Sequence, residues 1–260
     1  GVDLDAQAVE IAQLNLLLKV LSQRMKLPSL QHNLRVGNSL LAEGEPERKP
    51  FNFETEFNEV SEQGGFDVIV GNPPYIKEYT NRAAFDGLHD SPYYQGKMDI
   101  WTLFACRAID LLKDGGYFSF IAPNNWLTNA GASIFREKIL TEGQIVKFVD
   151  FGDFKVFKDA GIQTMIFIFK KGKPKQSYKT AYAKITDKNI SAEAVQTFIS
   201  KLAPPVEGAV SFETTINPES LAGKNIVFAK QTNDEVLNKI EQNKNFELIE
   251  KEAAQGIVAA

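Results

Sequence analysis

Residues 72–75 read Asn-Pro-Pro-Tyr, directly after the apolar run FDVIVG of residues 66–71. Two consecutive prolines hold the backbone extended and remove two N–H donors. The Pro73 carbonyl is then free to point away from any sheet, with the Asn72 side chain beside it as a second acceptor. Two fixed acceptors next to an aromatic ring suit a planar group that carries an NH2. The acceptors take its two hydrogens, and Tyr75 stacks on its face. Drawing on both N–H bonds raises electron density on the nitrogen. A poor nucleophile becomes a better one by preorganised electrostatics, without a general base. Asn-Pro also opens ordinary turns. Its place here, after Gly71 and at the end of a strand-like run, argues for the chemical role.

Ligands of open parallel sheets sit beyond the carboxyl ends of the strands. Asp3 and Asn38 also follow short strand-like runs, "GVDLD" and "LRVGNSLL". Asp3, Asn38 and Asn72 are therefore expected at one sheet edge. Asp3 stands where nucleotide-binding folds place the acid that bonds a ribose hydroxyl, about 20 residues after a glycine-rich turn. That turn does not precede Asp3 in this sequence, and a surface carboxylate at a helix start explains it equally well.

Such residues need strands and helices to hold them. A helix is expected from Asp5, its N-cap, to Leu21. Residues 42–64 are polar and broken by Pro46 and Pro50. They read as an excursion loop packed by Phe51, Phe53 and Phe57. FDVIVG reads as a buried strand, and residues 76–98 as a long irregular stretch. A helix follows from Asp99 to Leu112, closed by the glycines of KDGG. Strands at 117–123, 145–151 and 161–171 flank a helix at 130–140. Strand and helix alternating, with near-continuous apolar strands, predicts an α/β fold with a mainly parallel sheet covered on both faces. After Lys171 the texture changes. KGKPKQ reads as a junction, residues 178–222 as a mixed extension with a helix near 192–202, and NDEVLNKIEQN as an amphipathic helix.

Composition narrows the classes. The chain has 260 residues, 43% hydrophobic and 24% charged, with a formal net charge of −4, an ordinary globular profile. No apolar run reaches membrane-spanning length, so no membrane partner is expected. One Cys and two His give no disulfide framework and no zinc pattern. Cys106 reads as a reduced packing thiol, which fits a cytoplasmic setting. The lysines between 155 and 179 could meet phosphates, but solvated strand ends explain them equally well.

Five segments in order carry a resemblance: GVDLD, VGNSLL, GGFDVIVGNPPYI, YQGKMDIWTLFACRAIDLLKDGGYFSFIAPNNWL and VFKDAGIQTMIFIFKK. Together they resemble the N6-adenine DNA methyltransferases of the gamma class, found in TaqI-like and fused type II restriction–modification enzymes. The resemblance covers residues 1–172, and "NIVFAKQTNDEVLNKIEQNKNFELIEKEAAQGI" resembles the entry into that family's target-recognition domain. It implies a Rossmann-like methyltransferase fold that uses S-adenosylmethionine. It also implies a catalytic domain over 1–172, a linker and extension over 173–222, and the start of target recognition over 223–260. Asp3 and Leu4 would hold the cofactor's ribose. Asn38 and Ser39 would meet its adenine, Asn38 replacing an Asp common in relatives. Asn72, Pro73 and Pro74 would present the grip on the target amine. Tyr75 and Phe157 would sandwich an adenine flipped out of double-stranded DNA, with the Tyr75 ring, not its hydroxyl, carrying the stacking. Phe157 as a core residue is the plainer alternative. The family's glycine-rich cofactor motif would lie before Gly1. The resemblance thus implies a truncated domain that lacks its first cofactor strand and is inactive alone. Release-factor glutamine methyltransferases and RNA base methyltransferases use the same tetrapeptide. A silent scaffold that binds DNA or partner subunits stays open as a different class.

Overall fold

The computed structural model of the chain describes residues 1–22, 29–157, 161–173, 175–201 and 206–228. The expected amphipathic helix NDEVLNKIEQN and nearly all of 223–260 lie outside them. The chain opens with β1 (Val2–Asp3), α1 (Ala6–Ser22) and β2 (Arg35–Val36), the two strands pairing in parallel. As expected, Asp5 caps α1, its Oδ1 accepting from the Gln7 N–H at 2.9 Å.

The excursion over residues 42–64 folds into a 3-10 turn and two short helices, α2 (Phe53–Glu56) and α3 (Asn58–Glu62). Its aromatics pack it, as expected. Phe51 and Phe53 are buried and meet edge to face at 4.9 Å. Phe57 lies 5.8 Å from Phe66. Phe51 sits so close to Gly37 that a Cβ there would come within 2.6 Å of its ring. The aromatic loop therefore ties the end of β2 to the start of β3 (Phe66–Gly71).

The rest of the chain builds α4 (Trp101–Leu111), β4 (Leu112–Pro123), α5 (Ser133–Thr141), β5 (Gly143–Asp150) and β6 (Thr164–Lys171). It continues with β7 (Tyr178–Ile185), α6 (Ala192–Lys201), β8 (Ala209–Ile216) and α7 (Pro218–Leu221). Six strands form one sheet in the order β3-β4-β6-β5-β7-β8. The β3–β4 and β5–β7 pairs are parallel; β6 and β8 run against their neighbours. Four strands share one direction, which is the mixed, mainly parallel sheet expected. The helix stop expected at KDGG takes another form: Leu112 is already extended, and Gly115, at φ +81°, sits in the irregular start of β4.

Period-two side chains separate the two faces of the sheet. One face carries Phe118, Phe120, Met165, Phe167, Phe169, Phe148 and Tyr182 into a large core with Trp101, Cys106, Ile109, Trp126 and Phe135. Ring contacts lock it, including Phe118–Phe167 at 5.0 Å and Trp126–Phe135 at 4.8 Å. The other face is covered mainly over β5 and β7, where Val149, Ala183 and Ile185 meet Val195 and Phe198 of α6. The segment expected as linker and extension thus gives two strands and a helix to the same sheet.

One reading needs correction. β3 is not buried: Val68 is 59% exposed and Val70 73%. Its apolar composition is that of a central strand, but among the described residues it pairs only with β4. Burial depends on neighbours, and composition alone does not supply them.

Candidate active site

Strand β3 ends at Gly71, which pairs with Phe120 of β4. A Cβ on Gly71 would come within 2.8 Å of the Phe120 ring, so the position needs a residue without a side chain. Asn72 then leaves the ladder and is exposed, Pro73 is buried and Pro74 exposed. Among the described residues the Pro73 carbonyl accepts no hydrogen bond. Tyr75 is half-buried, packed against the main core. Its hydroxyl oxygen lies 2.8 Å from the Asn72 side-chain oxygen and 2.8 Å from the Ile121 carbonyl. The hydroxyl, expected to be idle, is engaged on both sides.

Asp99 is the residue that sequence reasoning missed. It is 8% exposed and has an Oδ1 without a hydrogen-bond partner. Burial raises its carboxyl to about 6, against the pull of the Trp101 N–H, the Lys77 ammonium and the Ile76 N–H. Burial, and then the Asp99 charge, push the Tyr75 phenol up to about 12. The signal was an acid inside the otherwise apolar MDIW, at the start of α4. The flanking Gln95 is structural. Its Nε2 donates to the Ala130 carbonyl at 2.6 Å, and its Oε1 accepts from the Ile134 N–H at 2.9 Å, fixing the start of α5.

Asp3 is exposed at the end of β1. Its Oδ1 accepts from the Asp5 N–H at 2.8 Å, which leaves the second carboxylate oxygen available. Leu4 is exposed, and its carbonyl accepts from Lys49 Nζ at 3.1 Å. Asn38 and Ser39 are half-buried. Asn38 Oδ1 accepts from the Leu40 N–H at 3.1 Å and keeps a second lone pair. Leu40 and Leu41, after β2, and Ile76, after Tyr75, belong to one apolar cluster with Phe85, Met98 and Leu103. The loops that carry Asn38 and Asn72 are thereby packed together, but β1 and β2 form a sheet separate from that of β3, so Asp3, Asn38 and Asn72 do not share the one sheet edge expected. Phe157 is half-buried in the β5–β6 connection, which leaves the sheet at the same carboxyl-end edge as Asn72. Two of the late lysines have structural partners. Lys171 Nζ donates to the Leu112 carbonyl at 2.7 Å, and Lys179 pairs with Glu213 at 3.1 Å.

Among the described residues no cluster of His, Cys, Asp or Glu could hold a metal, and no helix is long and apolar enough to cross a membrane. Burial raises the Cys106 thiol, as expected of a packing residue.

Residues 1–157 match the family model described as Eco57I restriction-modification methylase. The chain is 32% identical over 190 residues to the type II restriction enzyme and methyltransferase RM.Eco57I of Escherichia coli, covering 66% of this chain and 18% of that protein. It is 28% identical over 129 residues to the type II methyltransferase M.HincII of Haemophilus influenzae, covering 48% of this chain and 26% of that protein. The chain therefore spans about a fifth to a quarter of the length of these relatives. Among solved structures, the M protein of the type I restriction enzyme EcoKI superposes with a TM-score of 0.54 at 15% identity, covering 93% of this chain and 57% of that one. The DrdV–DNA complex superposes at 0.53 and 16% identity, covering 77% and 22%. At such identities these two establish the fold alone.

Proposed function

The chain belongs to the Eco57I restriction-modification methylase family, and from that premise we propose that it forms part of a DNA methyltransferase that transfers a methyl group to N6 of adenine. The observation that carries the reading is the end of β3. There Asn72 and the unbonded Pro73 carbonyl stand beside the half-buried Tyr75 ring. Pro73 and Pro74 keep the acceptors off the ladder. Asn72 Oδ1 and the Pro73 carbonyl take the two amine hydrogens as charge develops on the nitrogen. Tyr75 and Phe157 hold the extruded base between their rings, and double-stranded DNA is the partner. This is the gamma-class arrangement.

S-adenosylmethionine supplies the methyl group when bound. The donor set fits it. The free carboxylate oxygen of Asp3 suits a ribose diol, with Leu4 beside it, and the Asn38 amide with Ser39 suits the adenine end. We assign catalysis to residues 1–172, read 173–222 as its extension, and read 223–260 as the entry to target recognition. The uncovered Val68 and Val70 of β3 agree with a catalytic unit that this stretch alone does not complete.

The test is methyl transfer from S-adenosylmethionine by the full-length protein to duplex DNA, followed by nucleoside analysis. N6-methyladenine is expected. Methylation of RNA or of a glutamine amide in its place refutes the substrate, and no transfer at all supports a silent scaffold.

A further inference from the structure

We propose that the Tyr75 hydroxyl is a positioning group: it turns the Asn72 amide so that the amide oxygen faces the target amine, a role that rests on the adenine grip proposed above. The hydroxyl oxygen sits 2.8 Å from the Asn72 amide and 2.8 Å from the Ile121 carbonyl. A hydroxyl has one hydrogen to donate. With the Asn72 oxygen towards it, two acceptors compete for that hydrogen. The Ile121 carbonyl can only accept. An amide presents an acceptor at one end and donors at the other, in nearly the same shape. One arrangement satisfies both contacts together: the hydroxyl donates to Ile121 and accepts from Asn72 Nδ2–H. That arrangement turns Asn72 Oδ1 away from the tyrosine, on a residue that is otherwise exposed.

The fold supplies the anchor. The β3–β4 ladder closes at Gly71 and Phe120, one residue before Ile121. Asn72 has left the strand, and neither Pro73 nor Pro74 has an N–H to offer. The Ile121 carbonyl meets the tyrosine in place of a β3 amide, so the relay is tied to the sheet itself. Burial, and then the Asp99 charge, hold the phenol at about 12, which keeps its hydrogen in place at neutral pH. The ring face stays available for stacking. The two ends of one side chain thus serve different parts of the reaction.

The test uses the full-length enzyme and four forms: wild type, Tyr75→Phe, Asn72→Ala and the double variant. Single-turnover methylation of a cognate duplex is read beside DNA affinity and the fluorescence of 2-aminopurine at the target position. Tyr75→Phe is expected to slow methyl transfer about tenfold, the loss that one oriented hydrogen bond brings. Affinity and base extrusion should hold, because the ring remains. Adding Tyr75→Phe to Asn72→Ala should cost nothing more, because the hydroxyl acts through the amide. A wild-type rate in Tyr75→Phe overturns the proposal. So do losses that multiply in the double variant, the mark of a merely structural hydroxyl. If the wild-type enzyme methylates no adenine, the grip itself falls, and this proposal with it.

Discussion

Helices α1 and α4 are both rich in apolar residues, yet they end in opposite environments. In α4, Trp101, Ala105, Cys106 and Ile109 are almost fully buried against the sheet. In α1, Val9 is the one buried side chain, while Ile11, Leu14, Leu16, Leu18 and Leu21 are 46–59% exposed. The difference is not in the helices. α4 and α5 face a six-stranded sheet, whereas α1 faces the two-stranded β1–β2 pair. Burying a Leu side chain is worth about 1.5–3 kcal/mol, so the stability described here resides in the half that follows β3. The half that carries Asp3 and Asn38 is held by its aromatic loop.

Removing one apolar side chain from each half separates the two environments. Phe118 is fully buried and meets three other rings. Phe118→Ala should cost about 3–5 kcal/mol. Leu14→Ala should change stability by less than about 0.5 kcal/mol. Chemical denaturation of both variants measures the pair. An equal loss for Leu14→Ala would show that something covers α1 in solution.

A second contrast lies within the site, between an exposed amide and a half-buried ring. Asn72 packs against little, so Asn72→Ala should leave the melting temperature unchanged. In the full-length enzyme it should lower the rate of methyl transfer by about two to three decades, or roughly 3–4 kcal/mol. Tyr75 belongs partly to the core. Tyr75→Ala should weaken base capture by about 1–3 kcal/mol and lower the melting temperature as well. Single-turnover kinetics and thermal denaturation separate the two. If Asn72→Ala melts earlier or keeps its rate, it is a structural residue.

How much of this the sequence held depends on how local each cause was. The alternation of strand and helix, the Asp5 cap and the self-packing aromatic loop rest on neighbouring residues, and all were legible. The antiparallel entry of β6 was less so, although no helical pattern occupies residues 151–163 to carry a parallel crossover. The exposure of β3 was illegible because it depends on which strand sits beside it. The departure of the chain from the ladder after Gly71 was readable from the two prolines. The second partner of the Tyr75 hydroxyl, Ile121, lies 46 residues away and comes into reach only through β3–β4 pairing.

The last effect concerns Asp99, where the buried core meets the site. Its folded carboxyl holds its proton to about pH 6, while the unfolded chain releases it near 3.8. Between those values the folded state binds more protons than the unfolded state. The contribution of Asp99 to stability therefore falls as the pH rises, most steeply from about 4 to 6. The slope from one such group is at most about 1.4 kcal/mol per pH unit. Asp99→Asn carries no titrating proton and should lack this slope. It should gain on the wild type at pH 7 and lose that advantage at pH 4. Denaturation midpoints of both proteins at pH 4, 5, 6 and 7 measure the difference. Parallel curves would mean that Asp99 is ionised in the folded protein throughout, with its free oxygen solvated, and the carboxyl beside Tyr75 would then be a charged member of the site at every working pH.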